Sequence, residues 1–156
     1  MAKIGILGCD VTTREMNCVM IGCFGNLRSR QGSFQEYPQD EPLDLVGVIH
    51  CGGCPTAVGS DRIWQKVRAL VDYGIDALHL TSCLVQICPF KDAFLETIHR
   101  EYPDLKVVEG THPFHDPEEF RRGIRELASQ RAVTPQRMND LVFKRMKLPD
   151  EKEQPV

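Results

Sequence analysis

Short apolar runs alternate with longer amphipathic segments along this chain, and this alternation limits its possible folds more than any other feature. The apolar runs occupy residues 3–8, 45–49, 77–81 and 106–109. None of them leads into a hairpin dipeptide, so tight turns do not join consecutive strands, and the rhythm is typical of βαβ units. The sequence therefore predicts an α/β fold: one Rossmann-like or flavodoxin-like parallel sheet of about four strands, flanked by helices.

The amphipathic segments predict the helices between and after these strands. Residues 61–73 have apolar positions at helical spacing, and residues 92–102, 117–130 and 134–147 are further candidates. The last two each carry a proline in the first turn, where its missing N–H costs nothing. The secondary structure of residues 11–43 is the hardest to predict. A helical pattern there is interrupted by glycines, and the composition of the residues that follow is typical of a loop.

Length and composition indicate one domain of a soluble protein. The chain has 156 residues, 42% of them hydrophobic, which suits a single core over residues 1–148 with an acidic tail at residues 149–156. The net charge of -3 provides no basic surface for nucleic acid. We find neither an apolar segment of membrane-spanning length nor a secretion signal, so we expect a cytoplasmic protein and no membrane partner.

Cysteine is the residue type that bears most directly on function. A protein kept in a reducing compartment has little use for a disulfide framework, so metal binding or thiol chemistry is the better explanation for so many thiols. The chain contains seven of them, at Cys9, Cys18, Cys23, Cys51, Cys54, Cys83 and Cys88.

The positions of these residues relative to the predicted strands indicate a shared site. Cys9, Cys51 and Cys83 each follow a strand, and His112 follows the fourth. Carboxyl ends of parallel strands lie at one edge of a sheet, where open α/β sheets bind ligands. The remaining candidate ligands lie on the loops and the first connection at the same edge: Cys54, Cys88, Cys18 and Cys23. The role of His50 stays open, and His79, His99 and His115 are not expected to be ligands.

Local spacing supports the same interpretation. Cys51-Gly-Gly-Cys54-Pro is a Cys-x-x-Cys pair whose glycines allow the backbone to wrap closely and direct amides at sulfur. Four residues separate Cys83 from Cys88, and four separate Cys18 from Cys23. Three spaced pairs together with Cys9 predict a thiol-rich metal site.

These motifs resemble the CGGC domain family, a group of proteins proposed to bind metal. The resemblance rests on four stretches in order: the start at residues 3–9, VIHCGGCP at 48–55, HLTSC at 79–83 with CPF at 88–90, and VVEGTH at 107–112. It implies a cysteine- and histidine-rich domain that binds zinc, and it implies no particular activity.

Three functions remain open from the sequence, and whether the protein is an enzyme is open with them. The first is a zinc or iron-sulfur site; thiolates suit both, and ligands spread over four strand ends favour a cluster. The second is a thiol-disulfide or sulfur-transfer enzyme that uses Cys51 or Cys54 as nucleophile, with Cys83 or Cys88 resolving. The third is a sensor module whose metal edge docks onto a protein partner or a second copy of the chain.

Overall fold

The four predicted apolar runs form the strands of one sheet. They are β1 (Ala2–Gly8), β2 (Leu43–His50), β3 (Ala77–Leu80) and β4 (Lys106–Glu109), and all neighbours pair in parallel in the order β2-β1-β3-β4. The structure is a computed structural model, and it describes residues 1–54, 61–130 and 133–147. The expected four-stranded parallel α/β fold is confirmed.

Both faces of the sheet are covered, as expected for parallel strands with helical connections. In β1 the fully buried Ile4 and Ile6 face a core that contains Phe34, whereas Leu7 faces the opposite core with Val67. All four residues of β3 are buried. β1 and β3 are therefore the central strands, and their carboxyl ends are held on both sides.

Six α-helices occur within the described ranges. Those after β2 match the predicted helices within a few residues, except that α3 was not anticipated and α6 ends five residues early. Their bounds are α1 (Ile21–Ser29), α2 (Asp61–Asp72), α3 (Ser82–Ile87), α4 (Lys91–Glu101), α5 (Pro117–Ala128) and α6 (Pro135–Val142). α6 ends early because Lys144 adopts a left-handed backbone conformation, with φ 56°, just beyond it.

Proline and a capping side chain begin both carboxyl-terminal helices. Asp116 accepts a hydrogen bond from the Glu119 amide at 2.9 Å, and Thr134 accepts one from the Arg137 amide at 3.3 Å. Each cap satisfies one of the amide groups that a helix start leaves free. The predicted starts of these helices are confirmed within one residue.

The segment between β1 and β2 is more ordered than its sequence indicates. It contains a π-helical turn at Val11–Glu15, α1, and a 3-10 turn at Gly32–Phe34. The expected interruption at Gly22 and Gly25 does not occur, since α1 runs through both. Gly22 lies where a Cβ atom would be 2.7 Å from Cγ1 of Val142, so its small size allows α1 to approach α6 closely.

The strand order places a topological switch point between β1 and β3, where successive connections begin to run toward the opposite edge of the sheet. From β1 the chain crosses to β2 on one side, and from β3 it crosses to β4 on the other. Such a switch leaves a crevice beyond the carboxyl ends of the two central strands. The predicted tail at residues 149–156 lies outside the described residues. Within the described part of the chain, no helix is long and apolar enough to cross a membrane.

Candidate functional site

Three buried cysteines lie at the carboxyl ends of β1, β2 and β3. Cys9 follows β1 directly, Cys51 follows β2, and Cys83 is the second residue of α3 after β3. The Cys51 amide donates to the Gly8 carbonyl at 3.2 Å, so the sheet ladder extends to this cysteine. The expected position of these three thiols at one edge of the sheet is thus observed.

The thiol of Cys9 interacts with the sulfur atoms of both Cys51 and Cys83. Acting as a hydrogen-bond donor, Cys9 lowers the pKa of Cys51 and that of Cys83, while its own pKa is raised. Because one S–H group carries one proton, it serves one acceptor sulfur at a time. The three residues therefore form one hydrogen-bonded group in which Cys9 holds its proton more tightly than Cys51 or Cys83.

Additional donors surround the two acceptor sulfurs. The Asp10 amide donates to Cys51 Sγ at 3.4 Å, and the hydroxyl of Thr81 lies 3.3 Å from Cys83 Sγ. The one proton of the Thr12 hydroxyl serves either the Cys9 carbonyl oxygen, at 3.0 Å, or Cys83 Sγ, at 3.4 Å. Hydrogen bonds of this kind stabilise a thiolate and orient it.

The two glycines of the Cys-Gly-Gly-Cys segment both adopt positive φ. Their φ values are 92° for Gly52 and 91° for Gly53, which a residue with a side chain rarely adopts. This conformation lets the Gly53 amide interact with the Cys51 sulfur and helps to lower the pKa of Cys51. The expectation that the glycines direct amides at sulfur is therefore met at Cys51. Cys54, at the other end of the segment, is exposed.

A small cavity lies between the central strands, α1 and α6. Its volume is about 10 Å³, roughly the space needed for one water molecule. Cys18 and Cys23 line it together with Cys9 and Cys83, and burial raises the pKa of Cys18 to about 11 and that of Cys23 to about 12. Four of the seven cysteines therefore converge here, including Cys18 and Cys23 from the connection between β1 and β2, whose structure the sequence pattern did not predict.

Cys54 and Cys88 lie outside this cavity. Cys88 is partly exposed at the end of α3, and burial together with the nearby cysteines raises its pKa above the ordinary range. Burial and then the charge of Cys51 raise the pKa of Cys54. The structure thus places four of the predicted cysteines around the cavity, Cys51 buried beside them at the end of β2, and Cys54 and Cys88 outside it, nearer the surface.

His112 completes the lining of the small cavity, and hydrogen bonds from α3 hold its backbone. The Ser82 hydroxyl donates to the His112 carbonyl at 2.6 Å and accepts from the Thr111 amide at 3.0 Å. Gly32 packs against the same loop, with the Ser33 amide donating to the Thr111 carbonyl at 3.2 Å. The end of β4 is thereby tied to the end of β3.

The hydrogen bond of the His112 ring determines its tautomer. Nδ1 lies 3.0 Å from the Pro113 carbonyl oxygen, which accepts hydrogen bonds only, so Nδ1 carries the proton. Burial lowers the pKa of His112, which keeps the ring neutral and leaves a lone pair on Nε2. A metal-binding histidine has the same arrangement, with its second nitrogen donating to a carbonyl group.

His79, fully buried in β3, has a structural role. Its Nε2 lies 2.8 Å from the Tyr37 hydroxyl and its Nδ1 lies 3.1 Å from the Gly110 carbonyl oxygen, while Phe34 stacks on the ring at 4.5 Å. Both ring nitrogens are therefore engaged. These contacts hold the ring within the fold, and the expectation that His79 is not a ligand stays a prediction.

His115 is closer to the site than the sequence indicates. It is buried, its ring centroid lies 5.9 Å from that of His112, and Phe120 stacks on it at 4.8 Å. His50 is half-buried beside Gly8, whose lack of a side chain makes room for the ring, and His99 is exposed on α4. Neither His50 nor His99 lines the small cavity.

The buried histidines should make stability depend on pH. Burial lowers the pKa of His79, His112 and His115, whereas in the unfolded chain each titrates near about 6.5. Below that value the unfolded chain binds more protons, so stability is fully present above about pH 6.5 and decreases as the pH falls. The expected slope is up to about 1.4 kcal/mol per pH unit for each histidine.

Urea unfolding at about pH 7.5 and about pH 5.5 measures this dependence. A His99→Gln variant, which changes an exposed side chain, is the control and should show the same difference between the two conditions. Equal stability at the two pH values, or greater stability at the lower one, would contradict the expectation.

Several residues that shape the site were not anticipated. They are Thr12, Thr81, Ser82 and Thr111, which bond to sulfur or to the His112 loop, and Asn139, which lines the cavity from α6. All but Asn139 lie within three residues of a predicted ligand, so hydroxyl residues beside strand-end cysteines were an available signal. Asn139 had none, because nothing in the sequence indicates that α6 packs over this edge.

The chemistry of the lining fits a thiophilic metal ion, although the side chains are not arranged as a coordination sphere. Four sulfurs and one imidazole are soft or borderline donors of the kind that zinc, copper(I) and iron take. Across residues 1–54, 61–130 and 133–147, however, no three Cys, His, Asp or Glu side chains converge as a metal-binding group. Hydrogen bonds to hydroxyls and between thiols hold the sulfurs instead.

A parallel α/β domain with thiols gathered at the carboxyl edge of its sheet is the class of protein that these observations define. The family model for the CGGC domain matches residues 3–112, from β1 to the cavity histidine, and the chain belongs to this family. CGGC domains are proposed to bind metal. No curated protein and no solved structure matches the chain significantly.

Proposed function

We propose that the protein binds one thiophilic metal ion in the small cavity, and that zinc is this ion. The observation that carries the proposal is the cavity itself, because Cys9, Cys18, Cys23, Cys83 and His112 all line a space of about 10 Å³. A zinc ion takes four such ligands, with Zn–S distances of about 2.3 Å.

The size of the cavity favours a single ion over an iron-sulfur cluster. A cluster contains several iron and sulfide atoms and needs correspondingly more room, whereas this space accommodates roughly one water molecule. The spread of ligands over four strand ends, which favoured a cluster in the sequence, is equally consistent with one ion at the switch point of the sheet. When bound, zinc would supply a fixed positive charge, which favours thiolate forms of the surrounding cysteines.

In this proposal Cys51 lies beside the cavity and is not one of the residues that line it. Its sulfur accepts hydrogen bonds from the Asp10 amide and the Cys9 thiol, so it stabilises the group of thiols that includes Cys9. Cys54 and Cys88 are nearer the surface and have no place among the ligands.

A second candidate function is thiol-disulfide exchange at the Cys-Gly-Gly-Cys segment. The lowered pKa of Cys51 and the exposure of Cys54 favour it, because a thiolate nucleophile and a reachable second thiol are what this chemistry needs. The Cys51 thiolate would attack a substrate disulfide and release one thiol. Cys54 would then displace the second thiol, leaving a Cys51–Cys54 disulfide and a reduced substrate.

Elemental analysis and absorption spectroscopy of anaerobically purified protein test these functions together. We expect a colourless protein with one zinc ion per chain. Iron and sulfide with broad visible absorption would replace the zinc proposal with a cluster. A metal-free protein that forms a Cys51–Cys54 disulfide with oxidised glutathione would support the second function, and a metal-free protein that forms none would contradict both.

A further inference from the structure

A second, larger cavity lies outside the thiol cavity and shares a wall with it. Its volume is about 250 Å³, slightly below the usual range for pockets that bind drug-sized ligands. His112 and Val142 line both cavities. A molecule in this outer cavity would therefore lie against the same imidazole that faces the thiols.

The side chains of the outer cavity are suited to an organic anion. Lys144 supplies a positive charge, and Asn26 and Gln31, whose side chains end in neutral carboxamides, also line the cavity. Asn26 uses one N–H for the Gly22 carbonyl at 2.7 Å, which leaves its second N–H for a ligand. No aspartate or glutamate is among the residues that line this cavity.

An apolar wall lies beside these donors. Phe143 lines the cavity, is 39% exposed, and carries the Arg145 guanidinium over its ring at 5.2 Å. The ring offers a surface for the hydrocarbon part of a ligand, and Arg145 adds a second positive charge near it. Recognition of a carboxylate with an apolar body needs this combination of donors and hydrophobic surface.

The end of α6 does not oppose an anion at this place. A helix carboxyl terminus normally presents free carbonyl groups with partial negative charge. Here the carbonyls of Asn139, Asp140 and Leu141 accept the amides of Phe143, Arg145 and Lys144, and Val142 interacts with His115. The backbone turn that satisfies them is the one in which Lys144 has φ 56°, and it places this lysine in the cavity wall.

We propose that the outer cavity is a binding site for a small carboxylate with an apolar body, held by Lys144 and the two carboxamides and lying against His112. The proposal does not depend on the metal. Binding is a property of the apolar wall and the positive charge, both of which are present in the metal-free chain.

Titration of the metal-free, full-length protein with 3-phenylpropionate, followed by backbone amide NMR, tests this site. We expect saturable shifts at Asn26, Gln31 and Phe143, and weaker binding of the uncharged analogue 3-phenylpropanol. Lys144→Gln should weaken binding of the carboxylate at least about 10-fold, as expected for loss of one charge-assisted hydrogen bond. Lys147→Gln, which removes a charge from the same segment but outside this cavity, should leave the affinity unchanged.

The outcomes that would overturn the proposal are separate from those that bear on metal. The absence of shifts at the cavity residues, equal affinity for the acid and the alcohol, or an unchanged affinity in Lys144→Gln would each contradict it. Metal content measured on the same preparations reports only on the thiol cavity. A failure of one proposal therefore leaves the other standing.

Discussion

Replacing Cys83 with serine should remove most of the bound metal and lower the affinity for zinc more than about 100-fold. Loss of a hydrogen-bond partner to a ligand already costs about 10- to 100-fold, and loss of the ligand itself costs more. Cys83 is the residue to test because its sulfur lines the cavity and is in contact with Cys9, Thr12 and Thr81. Serine keeps the approximate size of the side chain but replaces a soft sulfur with a hard oxygen.

Competition with a chromophoric chelator measures this affinity, and Cys54→Ser is the matched control. Cys54 is exposed and does not line the cavity, so its replacement should leave both affinity and stoichiometry unchanged. Circular dichroism of the metal-free variants checks that both are folded. If Cys54→Ser loses the metal while Cys83→Ser keeps it, the ion is bound at the Cys-Gly-Gly-Cys segment and our assignment of the cavity is wrong.

Replacing Gly32 with alanine should destabilise the protein by about 3 kcal/mol or more. Gly32 has φ 59°, in the left-handed region where a side chain is strained, and a Cβ atom there would lie 2.4 Å from the Thr111 carbonyl oxygen. It would also lie 3.0 Å from Cα of His112. These are backbone atoms, so the clash can be relieved only by moving the loop that carries His112.

Urea unfolding of Gly32→Ala and Gly25→Ala provides the comparison. Gly25 lies in α1, and apart from its chain neighbours and the surrounding helix backbone no atom lies within 4 Å of the Cβ that alanine would add. Alanine is the better helix former, so Gly25→Ala should stabilise the protein by about 0.5–1 kcal/mol. Equal stability of the two variants would show that the Gly32 turn is not under the steric constraint described here.

The Gly32 variant also separates the role of His112 from that of the sulfurs. Displacement of the Thr111–His112 loop should weaken zinc binding in the fraction that still folds. The hydrogen bonds among the thiols of Cys9, Cys51 and Cys83 should remain. Together with Cys83→Ser, it tests the two sides of the cavity independently.

Strand positions and the site edge could be predicted because each depends on local pattern. The four apolar runs match the strands to within two residues, and a parallel sheet requires the residues after its strands to share an edge. Cys9, Cys51 and Cys83 were therefore placed correctly relative to one another. His112 followed from the same rule, although its tautomer depends on a carbonyl group that only the fold brings near.

The first connection could not be predicted to the same degree. Helix α1 contains two glycines, whose low helix propensity argues against a helix. What overrides that propensity is packing, since Gly22 permits close contact with Val142 from a helix more than a hundred residues away. The positions of Cys18 and Cys23 beside Cys9 and Cys83 depend on that contact.

The sequence by itself determined the parallel α/β fold, the family and the edge at which the thiols gather, because periodicity, strand ends and the Cys-Gly-Gly-Cys segment are local features. Only the tertiary structure decided which thiols surround one cavity, which of them carry lowered pKa values, and how small the cavity is. Those properties depend on distances between α1, α6 and the strand ends, and on the low polarity of the interior. Both the distances and the polarity of the interior result from contacts between residues that are far apart in the chain.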